Sequence, residues 1–186
     1  IGDEKYDAQS GAMIALLKYG SGMPFNRLEG LQASLGVPLP ASTQWEIVEQ
    51  VADRIYPAFL ELNFQGAQGD VVYNDDTTAK ILELMKENKE DAPERKGMFT
   101  TGIMSTSGDR QIALFYTGRK HAGENMDDLL SQRQTHLQKP VQMCDGLSRN
   151  IPKTLETILL NCLAHARRNF VDVAAKALQI GMGKGR

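Results

Sequence analysis

The chain is 186 residues long, 41% hydrophobic and 24% charged, with a formal net charge of −2. That length suits one sizeable core, or one domain with a helical appendage, and the composition is that of an ordinary globular protein. No apolar run reaches about 18 residues, so no membrane span is expected.

The opening residues, IGDEKYDAQS, lack the basic and apolar regions of a signal peptide, and the absence of Met at the start reads as a fragment. From Gly11 to Tyr19 an apolar stretch predicts a short helix, broken by GSGMP. Pro24 suits the first turn of the next helix, FNRLEGLQASL, which Gly36 ends as a C-cap. A longer helix follows, with Thr43 and Glu46 as a capping box and Trp45, Val48, Ala52, Ile55, Phe59 and Leu62 as its apolar stripe. Pro57 is expected to kink it. The pair of helices has a helix-turn-helix look, but Glu46, Glu49, Asp53 and Glu61 against a lone Arg54 oppose phosphate contact, so it reads as packing or dimer-forming.

From Gly69 the pattern changes. DVVYND is an apolar run of strand length, TTAKILELMKENKED is helix-like, and MFTTGIMST and RQIALFYTG around SGD form a hairpin signal. ENMDDLLSQRQTHL predicts a helix, KPVQMCDG a further strand opened by a tolerated Pro, and PKTLETILLNCLAHARRNF and VDVAAKALQI two helical segments. The order predicts a mixed α/β domain with a helical N-terminal segment. Charge follows the same division. Residues 1–96 carry 9 Lys/Arg against 16 Asp/Glu, residues 97–186 carry 12 against 7, and a basic second half hints at a polyanionic partner.

Two strands end in a carboxylate after an apolar run: Asp75, followed by Asp76, and Asp145. Ordinary turn chemistry explains each one alone. If the strands are parallel neighbours, both carboxylates reach one sheet edge and can share a divalent ion such as Mg²⁺, which takes one or two carboxylates plus substrate phosphate. Two such ions clamp the attacking and leaving oxygens of a phosphodiester. Cys144 and Cys162 lie in apolar segments and fit a reducing compartment, the cytoplasm, better than a disulfide framework. A zinc site from Cys162, His165 and Cys144 lacks a fourth ligand at proper spacing.

The segments YNDDTTAK, TTGIMSTSGDRQIALFYTGRKHAGENMDDLL, VQMCDGLSRN and NCLAHARRNF together resemble the central domain of DDE transposases of the insertion-sequence sixty-six family, and the helical stretch before them is similar to the segment preceding that domain. The resemblance implies an RNase H-like α/β fold: a mixed sheet flanked by helices, after an all-helical N-terminal segment. The corresponding division is 1–66 helical, 67–180 catalytic core, and 181–186 a disordered tail. The family's D-[DE]-T pattern matches Asp75, Asp76 and Thr77. Strand alternation leaves open which aspartate faces the metal, with Asp75 preferred. The family's second acid matches Asp145. Its third, a Glu in an Asn-Asn-x-x-Glu-Arg motif, has no counterpart before Arg186, and Glu156 is a weak substitute because helix Glu residues usually face solvent.

The implied function is that of a transposase core: phosphodiester hydrolysis and strand transfer at insertion-sequence ends with Mg²⁺ (or Mn²⁺), on double-stranded DNA, and as a homo-oligomer in the full-length protein. The alternative is a truncated, catalytically inactive DNA-binding or interaction module, which the missing Glu favours. Lys120, Arg149, Arg167 and Arg168 are the candidate DNA contacts. Arg119, Lys120 and His121 otherwise read as a basic loop, and the Arg pair as a solvated helix face.

Overall fold

The computed structural model describes residues 6–91 and 93–182. The chain divides into two compact units, residues 1–60 and 61–186.

In the first unit, α1 (Ala8–Ala15) starts where the Asp7 carboxylate accepts the N–H of Ser10 at 2.8 Å, and it runs on into a π-helical turn, Leu16–Gly20. That side-chain acceptor satisfies one of the orphan donors of the first helical turn. α2 (Phe25–Ser34) follows Pro24, and Gly36, at φ 77°, ends it as expected. Ile14, Leu39, Ile47 and Val48 form the buried cluster of this unit.

Two expectations for the long helix α3 (Ala41–Ala67) are corrected. It begins two residues before Thr43, so Thr43 and Glu46 lie inside it and form no capping box. Instead the Pro40 carbonyl accepts the N–H of Gln44, and the Glu29 carboxylate accepts that of Ala41 at 3.1 Å. The buried stripe is also rotated: Gln44, Ile47 and Val48 are buried, while Trp45 is 55% and Ile55 59% exposed. α3 runs unbroken through Pro57.

The second unit carries a five-stranded mixed sheet in the order β3-β2-β1-β4-β5. Its strands are β1 (Val71–Thr78), β2 (Phe99–Ser107), β3 (Arg110–Gly118), β4 (Val141–Cys144) and β5 (Ile158–Asn161). β1–β2 and β2–β3 pair antiparallel, whereas β1–β4 and β4–β5 pair parallel. Helix α4 (Leu82–Glu90) follows β1, α5 (Ala122–Leu130) follows the hairpin, and α6 (Leu163–Met182) follows β5. This is the RNase H-like α/β class expected. Of the tail expected at 181–186, residues 183–186 lie outside the described residues, and α6 extends to Met182.

β5 was not expected. Its ILLN run sits inside a stretch that reads as helix, yet it adds to the open edge of β4 by parallel pairing, so one helix follows it rather than two. Glu156 accordingly lies in the loop before β5, not on a helix.

α5 covers one face of the sheet. Its buried residues Ala122, Asn125, Met126, Leu129 and Leu130 recur at helical spacing, and alternation turns the buried Val72, Ile103 and Leu114 to one side of the sheet. Burying each large side chain contributes about 1.5–3 kcal/mol. Arg133 closes the end of α3: its Nη1 donates to the carbonyls of Ala67 at 2.7 Å and Gly69 at 2.8 Å, acceptors that a helix end leaves unpaired.

Candidate functional site

β1 does not end at its aspartates. Asp75 pairs with Gly102 and Asp76 with Thr101, and the antiparallel ladder continues to Thr78. On the other side of β1 the parallel ladder with β4 runs only through Val71–Val141, Val72–Gln142 and Tyr73–Met143. Asp75 therefore stands just past the end of the parallel pairing, on a strand that β2 still holds. Extending the same register brings Asp145, which follows the last residue of β4, opposite Asp75.

The strand's period of two separates the neighbouring aspartates. Asp76 points to the face covered by α5, where its side chain is 3% exposed. One oxygen accepts from Thr101 Oγ1 at 2.6 Å; the other accepts from Ala122 N at 3.0 Å and lies 3.1 Å from His121 Nδ1. The carboxylate thus docks the N-terminus of α5 onto β1. Asn125 Nδ2 extends the contact by donating to Thr101 Oγ1 at 2.8 Å. Asp75 points to the opposite face, where its side chain is 62% exposed. Its Oδ1 accepts the N–H of Asp76 at 2.9 Å, and its Oδ2 lies 3.8 Å from His165 Nε2. Beside it, a hollow of about 280 Å³ is lined by Tyr73, Met104, Phe115, Cys162 and His165.

Asp145 is held by the turn that follows β4. Its Oδ1 accepts the N–H of Leu147 at 3.0 Å and the side-chain Nδ2 of Asn150 at 2.7 Å. Gly146 makes this turn at φ 79°, and a Cβ there would stand 2.8 Å from Asn161 Oδ1, so both the backbone and the space require glycine. Cys144, the last residue of β4, precedes Asp145 and is buried. Burial pushes its thiol pKa up, and the charges of Asp145 and Asp75 act in the same direction.

Cys162 and His165 open α6. The amide N–H of His165, then its imidazole, draw the Cys162 thiol pKa down. Both cysteines are free. Among the described residues no three His, Cys, Asp or Glu side chains form a group able to hold a metal. A cation here would take oxygen from Asp75 and Asp145 and complete its shell with water or phosphate oxygen, which is the coordination habit of Mg²⁺.

The other predicted residues are scattered. Lys120 pairs with Asp128, and both are more than half exposed. Arg149 is exposed on the short 3₁₀ turn Ser148–Asn150, and Arg167 and Arg168 are exposed on α6. Glu156 is exposed and pairs with Lys139, which holds its carboxyl below the usual range. The basic loop read into Arg119–His121 is a brace instead. Arg119 donates to Asn88 Oδ1 at 2.7 Å and Arg95 O at 2.6 Å and pairs with Glu87 at 2.8 Å; His121 caps α5. Arg95 grips Glu124 through two bonds of 2.7 and 2.8 Å, and these hold the Glu124 pKa down at about 2.

Sequence reasoning missed the buried amides behind the site, Asn74, Gln142 and Asn150. For Asn74 and Gln142 the signal was present: Asn and Gln at inward strand positions are disfavoured unless partnered.

No helix among the described residues is long and apolar enough to cross a membrane. The model of the family described as Transposase IS66 family matches residues 5–182. Neither a curated protein nor a solved structure matches the chain significantly.

Proposed function

This chain belongs to the IS66 family of transposases, and on that premise we propose that Asp75 and Asp145 together hold the divalent cation, Mg²⁺ or Mn²⁺, used to cut and rejoin DNA at insertion-sequence ends. The observation that carries the reading is the register of β1 and β4, whose continuation past Tyr73–Met143 runs Asp75 opposite Asp145 just beyond the parallel pairing. When bound, the cation supplies Lewis-acid stabilisation of charge at the phosphorus and lowers the pKa of water.

The protein's own part is positioning. Asp75 rides on a strand gripped from its far face by Asn74 and Asp76, so its carboxylate is carried on a rigid support. Asp145 has one oxygen engaged by the turn and keeps the other for a cation. Lys120, Arg149, Arg167 and Arg168 contact phosphates of double-stranded DNA, which fixes its place without reading its sequence. The working form is a homo-oligomer.

A second reading has its own support. Among the described residues no group of three or more His, Cys, Asp or Glu side chains could hold a metal, which favours a DNA-binding or interaction module that holds a cation weakly and does not cut.

Mn²⁺ titration followed by electron paramagnetic resonance tests the shared site. We expect Asp145→Ala to weaken binding by at least about tenfold, and an unchanged affinity refutes the site. Nicking of element-end DNA in Mn²⁺ then separates the enzyme from the module.

A further inference from the structure

We propose that Asn150 is a positioning residue for Asp145, and that it ties the two acid-bearing strands into one unit from the covered face of the sheet. The inference rests on the reading that Asp145 binds a cation.

Asn150 is 1% exposed. Its backbone carbonyl accepts from Asn74 Nδ2 at 2.7 Å and from Gln142 Nε2 at 2.9 Å, and Gln142 Nε2 also donates to Asn74 Oδ1 at 2.8 Å. Asn74 is the β1 residue before Asp75, and Gln142 belongs to β4. Its side chain reaches the other strand's acid, with Nδ2 donating to Asp145 Oδ1 at 2.7 Å. A single residue thus gathers both strands through its backbone and aims the carboxylate of one of them through its side chain.

The other end of that amide explains why the residue is there. Asn150 Oδ1 is buried and has no hydrogen-bond partner among the described residues. A buried carbonyl left unpaired is destabilising, and an apolar residue of similar size avoids the penalty. Reversing the amide does not help, because it sets oxygen against a carboxylate and discards a charge-assisted bond. The local stability optimum is therefore apolar, and what an apolar residue cannot do is hold Asp145. Groups that orient metal-binding side chains in this way typically change metal affinity by about 10–100-fold when removed.

The test uses the chain as it stands, Mn²⁺ alone as probe, and two variants, Asn150→Leu and Asn150→Ala. Both lose the Nδ2 donor and the orphan carbonyl while keeping the backbone acceptor, and the smaller one serves if the larger disturbs folding. We expect Mn²⁺ affinity to fall about tenfold in whichever variant folds, with an altered resonance line shape for the residual bound ion. The thermal midpoint of the Mn²⁺-free Leu variant is expected to be unchanged or raised. A lower midpoint with unchanged Mn²⁺ affinity makes Asn150 merely structural and overturns the inference. Loss of binding in Asp145→Ala but not in the Asn150 variants overturns it while leaving the shared site intact. Absence of Mn²⁺ binding in the unaltered chain sinks the shared site and this inference together.

Discussion

The two faces of the sheet are built to opposite rules. Toward α5, Val72, Ile103 and Leu114 are buried among polar side chains that are all partnered there: Asn74, Asp76, Thr101 and Ser105. On the other face the residues are apolar yet open: Tyr73 is 38%, Met104 44% and Phe115 68% exposed. Asp75 and Asp76 are adjacent and chemically identical, and the difference between faces separates their roles. One carboxylate is consumed by the fold and the other is left to solvent. In this region, polar burial marks architecture, and the exposed acid beside an apolar floor is the one proposed to bind the cation.

The sharpest break of that comparison is a pair of alanine variants. Asp76→Ala leaves the Thr101 hydroxyl, the Ala122 N–H and His121 without their common acceptor, and is expected to destabilise the protein by about 3–4 kcal/mol in urea unfolding. Asp75→Ala is expected to stay within about 0.5 kcal/mol while Mn²⁺ binding is lost. Similar stability losses in both variants contradict the division of roles between the faces.

A smaller effect probes how α5 is seated. A Cβ on Gly123 would stand 2.4 Å from the carbonyl oxygen of Ile151 and 2.8 Å from that of Arg149, backbone atoms of the segment that carries Asn150. Gly123→Ala is expected to cost about 1–3 kcal/mol through overpacking, read as a lower denaturation midpoint. It should also weaken Mn²⁺ binding, because the displaced segment aims Asp145.

The smallest effect concerns pH. The Glu124 pKa is held at about 2, below its ordinary 4.5, first by Arg95 and then by the His121 N–H. A depressed acid contributes stability above its unfolded pKa and loses that contribution as pH falls through the folded value. Stability should therefore decline from about pH 5 toward pH 2, and Glu124→Gln should flatten that slope. The side chain is 37% exposed, so the change is modest. An unaltered slope in the variant assigns the acid sensitivity to other carboxylates.

Much of the second unit was legible locally. The hairpin followed from β-rich runs around Ser107, Gly108 and Asp109, and β4 from an apolar run after Pro140. Less legible was anything decided by a distant partner. β1 continues through Asp75 and Asp76, residues of turn type, because β2 supplies hydrogen bonds along their whole length. β5 is a strand because β4 had an edge to fill. α3 offered two acceptable apolar stripes, and periodicity states the spacing of a stripe without saying which one meets a neighbour. Packing kept Val48 of the expected stripe, buried Gln44 and Ile47 beside it, and left Trp45 and Ile55 exposed.

By itself the sequence determined the α/β class, the family and the two candidate aspartates, because these depend on short-range periodicity and on motif order. Only the tertiary structure decided which of Asp75 and Asp76 is free, that His121 braces a helix, and that Asn150 stands behind Asp145. Asp76 is engaged by groups some 45 positions away, and Asn150, though only five residues from Asp145, is tied to Asn74 across 76 positions; hydrogen bonds formed across such separations leave no period along the chain.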